Sequence, residues 1–141
     1  MTDLENAKRR LPEGYTAVLC KDTVTHTATK RGVAPLLDWL ESQTALQGFS
    51  AADKVVGKAA AMLYVLLGVK EVYADVMSEQ AEAVFTRHGI ACSYTLLVPM
   101  IRNRTNTGFC PMEQATAAID DPHEALRAIK TTLAELKNSN R

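Results

Sequence analysis

Residues 50–68 read SAADKVVGKAAAMLYVLLG, and the fold turns on how this stretch is read. Every position from Ala59 to Leu67 is apolar, so a helix here must be covered on most sides. Ser50 stands where an N-cap belongs, and Asp53 three residues on gives a capping-box pattern that also suits the helix dipole. Gly68 is a good terminator. The expectation is one central helix over 51–67. On it Lys54 and Lys58, four apart, share a face with Gly57 beside them. That face is either a solvated stripe or the wall of a cleft that offers two cations to an anion. A glycine in mid-helix costs about 1 kcal/mol relative to alanine, so Gly57 implies a close approach by a ligand or a neighbouring helix.

Upstream, GYTAVLCKD and TVTHTATKR are rich in β-branched residues and read as a hairpin over 15–21 and 23–30. A short polar helix over 2–10 precedes it and stops near Pro12. Val33, Leu36, Leu37 and Leu40 have helical spacing, with Pro35 acceptable in a first turn. Downstream, KEVYADVMS reads as a strand, EQAEAVFTRHG as an amphipathic helix ended by Gly89, and IACSYTLLVPMI as another strand. This alternation is a right-handed crossover in a mainly parallel sheet. A helix opens at Cys110-Pro111, and a last one after Asp120-Asp121-Pro122 carries apolar residues at 125, 126, 129, 133 and 136. A hairpin followed by crossovers predicts an α/β fold, a three-layer α/β/α sandwich on a mixed sheet.

The chain has 141 residues, 47% of them hydrophobic, enough for one domain spanning 1–141 with its core over about 14–137. Lys plus Arg and Asp plus Glu are both 16, so there is no general attraction to nucleic acid or to an anionic membrane, and neither is expected as a partner. Cys20, Cys92 and Cys110 are widely spaced and odd in number, which is neither a disulfide framework nor a zinc-finger pattern. MTDLENAKRR has no apolar run, and 59–69 is too short to span a bilayer. A cytoplasmic location follows as the expectation.

Asn106 to Ala115, NTGFCPMEQA, holds the most suggestive chemistry. Pro111 suits a first helical position, which makes Cys110 the N-cap and Glu113 the third helical residue. Cysteine is not a favoured cap. At that place the dipole would favour a thiolate, or the free N–H groups would hold a phosphate or carboxylate. Alternatively Glu113 turns back in a capping box, or Cys110 is a plain buried thiol. Arg104 and Thr107, in the loop leaving the last strand, could join that helix start in holding an anion. Cys20 and Cys92 read as small hydrophobes on strands. The three histidines do not cluster, no His/Cys pair has ligand spacing, and no phosphate loop or dinucleotide fingerprint occurs. No metal or other cofactor is expected.

ADKVVGKAAAMLYVLLGVKEVYADVMSE, RHGI and NRTNTGFCPME together resemble a small uncharacterised prokaryotic family of cytidine-deaminase-like fold, over about residues 14 to 136. The resemblance implies a mixed sheet between helix layers. It does not carry the activity. Zinc deaminases hold a His or Cys followed by Ala-Glu at the start of the central helix, and Pro-Cys-x-x-Cys after the next strand. Here those places read KVVGKAAA and VMSEQAEAV, and Cys110 comes one strand too late. The zinc region of such a fold would instead be furnished by Asp53, Lys54, Gly57, Lys58, Ser78 and Glu79. Cations there suit a small anionic or nucleotide-like ligand, held by a sensor or accessory protein. Two other readings stand beside this one. The first is an enzyme with Cys110 as nucleophile or redox thiol and Lys58 or Glu113 as acid/base helper. The second is an oligomeric scaffold with a vestigial cleft, since a homo-oligomer is expected from the fold.

Overall fold

The computed structural model describes residues 1–102 and 110–139. Helix α1 (Asp3–Arg10) is followed by strands β1 (Ala17–Lys21) and β2 (Val24–Ala28), then by α2 (Ala34–Glu41). Strand β3 (Ser50–Val56) leads into α3 (Lys58–Leu67), β4 (Glu71–Ser78), α4 (Glu79–Arg87) and β5 (Ala91–Val98). Helices α5 (Pro111–Thr116) and α6 (Pro122–Ser139) close the chain. The strands make one sheet in the order β2-β1-β3-β4-β5. β1 is antiparallel to both its neighbours, whereas β3, β4 and β5 are parallel.

The stretch 50–68 is therefore not one helix. Ser50–Val56 is the middle strand of the sheet, and only Lys58–Leu67 is helical. The capping box expected of Ser50 and Asp53 does not exist. Ser50 Oγ donates to Glu71 at 2.6 Å across the β3–β4 pair, and Asp53 accepts from Tyr64 Oη at 2.6 Å. The physical reason is burial on both faces. Ala51 lies under the α2–α6 layer with Leu19, Val72 and Leu63, while Ala52 lies under α1 with Val18, Cys20 and Tyr73. A central strand covered on both sides needs small apolar residues there, and alanine, a helix former by propensity, fits where a larger side chain would not.

Helices thus cover both faces of the mixed sheet. One is packed by α2 to α6, with α3 and its neighbours α4 and α6 supplying Leu63, Phe85 and Ile129 to a continuous core. The other is covered, among the described residues, by α1, whose Leu4, Ala7 and the following Leu11 pack over β1, β3 and the start of β4. Beyond α1, no element among the described residues covers this face. Val55, Val76 and Leu96 form one register row across the three parallel strands, and Val55 and Leu96 keep 47% and 54% of their surface. Among the described residues no helix is long and apolar enough to cross a membrane.

Candidate functional site

Gly57 ends β3 and is the N-cap of α3, in extended backbone at φ −100° and ψ −173°. It has no side chain to satisfy the free N–H groups of the helix. Glu113 of α5 does so from 55 residues away. Its carboxylate accepts from Lys58 N at 2.6 Å and from Ala59 N at 2.9 Å. The Lys58 ammonium runs the other way and donates at 2.9 Å to the carbonyl of Ala117, just past the end of α5. Each helix end thus receives the charge its dipole favours, and α3 and α5 are clamped together. Burial pushes the Glu113 carboxyl up, opposed by the two N–H groups and the nearby Lys58 charge.

This geometry explains the glycine. A Cβ at position 57 would lie 1.9 Å from Glu113 Oε1. The close approach inferred for Gly57 is real, but at a helix start, and the approaching group is the protein's own carboxylate. It also overturns two expectations. Lys54 and Lys58 do not share a helix face: Lys54 is exposed on β3 while Lys58 is buried at the start of α3. Glu113 makes no capping box with Cys110, because its side chain caps α3 instead.

Asp53 lies one layer deeper. It is held by Tyr64 Oη and, at 3.3 Å, by the N–H of Val55. Desolvation raises its pKa from 3.8 to about 7 against the pull of these bonds, and the charge of Asp75 adds to the rise. Burial and Asp53 together also push the Tyr64 hydroxyl well above its usual range. Ser78 is the N-cap of α4, its Oγ accepting from Ala81 N at 3.1 Å, and is buried; Glu79 is exposed in the first turn of α4.

Cys110 does occupy the N-cap of α5, but its side chain makes no capping bond. Its N–H donates to Ile101 O at 3.3 Å, and the half-buried thiol packs against the main core. No described residue hydrogen-bonds that thiol. Arg104 and Thr107 lie outside the described residues. Cys20 is buried, and the half-buried Cys92 thiol is pushed up by burial and by Glu82.

Two clefts adjoin this assembly at the C-terminal ends of the parallel strands, where open α/β sheets present ligand sites. One, of about 310 Å³, is lined by Gln80, Met100, Ile101, Glu113, Gln114 and Ala117. The other, of about 470 Å³, runs over Val55, Val76 and Val98 to Pro99 and Arg102. Met100 and Ile101 line both. The sequence offered no sign of Gln80, Gln114 or Met100 as lining residues. Nor did it show that Tyr64 and Glu113 would be the partners of Asp53 and Gly57. Among the described residues no three His, Cys, Asp or Glu side chains gather as metal ligands. The starts of α3 and α4 offer glycine, lysine, serine and exposed Glu79, and Glu113 is spent on backbone, so the residues do not fit a zinc site.

Fold and site together define an α/β protein of mixed five-stranded sheet, with a carboxylate-clamped helix start beside two clefts that share Met100 and Ile101. Residues 7–133 match the family described as a domain of unknown function, DUF1893, and the chain belongs to that family. A crystal structure of a DUF1893 family protein from Thermotoga maritima is similar at a TM-score of 0.77 and 22% identity, over 91% of this chain and 85% of that one, which shows a shared fold. A diaminohydroxyphosphoribosylaminopyrimidine deaminase/5-amino-6-(5-phosphoribosylamino)uracil reductase from the same organism aligns at a TM-score of 0.42 and 15% identity. That match spans 64% of this chain and 34% of the other. No curated protein matches the chain.

Proposed function

We propose that this protein binds a small nucleotide-like ligand across the two adjoining clefts and acts as a sensor or accessory protein rather than by turnover. The observation that carries this reading is a pair of largely apolar clefts that share Met100 and Ile101 in their linings, one edged by Arg102 and the other by two side-chain amides. The larger cleft, floored by valines and edged by the exposed Arg102, suits a flat or sugar-like body with an anionic end at the guanidinium. The smaller cleft offers the side-chain amides of Gln80 and Gln114, each both donor and acceptor, beside a Glu113 carboxylate already engaged by two backbone N–H groups. That combination suits the edge of a base. The flexible thioether of Met100 between them can adapt to a ring. Both volumes lie in the range of small-molecule sites, roughly 300–1,000 Å³. Anion binding through the α3 start is not part of the reading, because Glu113 occupies those N–H groups.

The test is thermal denaturation with a panel of nucleosides, nucleotides and inorganic phosphate. A ligand that binds only the folded state at 100 times its Kd stabilises by about 2.7 kcal/mol, which raises the melting temperature by several degrees. The expected result is a rise with a nucleotide and none with phosphate alone. That rise should shrink in Arg102→Ala and in Gln114→Ala. A panel with no effect, or a rise that both substitutions leave intact, overturns the proposal.

A further inference from the structure

The sheet ends on one side in β5, Ala91–Val98, which reads ACSYTLLV. Eight residues at about 3.3 Å each make an edge of roughly 26 Å. It carries no charged side chain and no proline, the devices by which edge strands discourage pairing. Ser93, Tyr94, Thr95 and Leu96 are all exposed, and among the described residues no strand lies on its outer side. The opposite edge, β2, is shorter at five residues, and His26 on it packs against Trp39 and Phe49.

We propose that β5 is the dimerisation edge of this protein and that its partner is β5 of a second copy, paired antiparallel about a two-fold axis. The charge pattern beside the strand favours a second copy over an unrelated chain. Helix α4 packs against β5, with Glu82 accepting from Tyr94 Oη at 2.9 Å. It is acidic in its first turn, at Glu79 and Glu82, and basic in its last, at Arg87. A two-fold that sets the strands antiparallel sets the two α4 helices antiparallel as well. The acidic end of each then faces the basic end of the other, and the closed symmetry makes the contact self-limiting. The intrachain pair of Arg87 with Asp120, 3.3 Å long with both side chains more than half exposed, is weak enough to be exchanged. A peptide strand from another protein could add to the same edge, but it would have to reproduce this charge pattern by chance.

Sedimentation equilibrium on the full chain decides the matter, with circular dichroism checking that each variant is folded. The native chain is expected to be a dimer at micromolar concentration. Ser93→Lys places two cations near the middle of the paired edge and should weaken the dimer at least tenfold, as should Ser93→Glu. Mixed in equal amounts, the Lys and Glu variants should restore a dimer that neither forms alone. A native chain that stays monomeric to about 100 micromolar overturns the proposal. So does a dimer that both variants leave intact, or a mixture of folded variants that fails to re-associate.

Discussion

Replacing Gly57 by alanine should be costly for one reason only, the Glu113 carboxylate. The backbone at 57 is extended and open to any residue, so alanine brings no conformational strain. The new Cβ would lie 1.9 Å from Oε1, 2.5 Å from Cδ and 3.0 Å from Oε2. No small adjustment absorbs contacts of that kind, and the carboxylate must leave. With it go the bonds to Lys58 N and Ala59 N. Hydrogen bonds to a charged group contribute roughly 1.5–3 kcal/mol each, part of which water recovers. The net loss for Gly57→Ala should be about 2–3 kcal/mol, read by urea denaturation followed by circular dichroism. Glu113→Ala removes the same bonds and should cost a similar amount. In the Glu113→Ala background the three closest contacts of the alanine at 57 are gone. There it should be neutral, or stabilising by about 0.4–1 kcal/mol through the unfolded state. The coupling in this double-mutant cycle should therefore be about 2–3 kcal/mol. An equal cost for Gly57→Ala in both backgrounds would refute the carboxylate as the cause.

Asp53 is a buried acid whose carboxyl is raised by desolvation, so it takes up a proton on folding between its unfolded pKa of 3.8 and its folded value of about 7. Its burial cost is absent below the lower value, grows as pH rises and is complete above the upper one, where it is on the order of 4 kcal/mol at most. Asp53→Asn can still accept from Tyr64; it should flatten the fall in stability between about pH 4 and 7 and match or exceed the native chain at pH 8, by denaturant unfolding at several pH values. Ser78→Ala should cost about 1 kcal/mol by the same assay, since it removes the cap of α4 and leaves Ala81 N without its acceptor. Lys58→Met removes a charge that, after the N–H groups of Ala59 and Lys58, opposes the rise of the Glu113 carboxyl by burial, so carboxyl-carbon NMR should show Glu113 titrating at higher pH in that variant.

Most of the frame was legible because its signals are local. The β-branched hairpin, the alternation of strand and helix after Gly68, and the proline at the start of α5 each depend on neighbours in sequence. Strand β3 was not legible, for two reasons. Its alanines have helical propensity, and a strand buried on both faces shows no polar alternation. Asp53 and Val56 also both turn to the α3 side, as do Ala74 and Met77, so the two-residue period slips within β3 and β4. The Val55-Val56-Gly57 run was the available sign of a strand ending at a helix start. The site was less legible still. That Cys110 begins a helix follows from Pro111, but the partner of Glu113 lies 55 residues away, and no local pattern encodes it. The paired cations expected of Lys54 and Lys58 rested wholly on the helix reading and fell with it.

Reversible binding of a nucleotide-like molecule at the two clefts is what the proposed function requires. Mass spectrometry of the freshly purified protein, first native and then denatured, with nucleotide added where none copurifies, tests it most directly. The expected result is a mass increase of nucleotide size in the native spectrum that disappears on denaturation and is weakened by Arg102→Ala. A bare chain in both states, even with nucleotide present at about millimolar concentration, would contradict it.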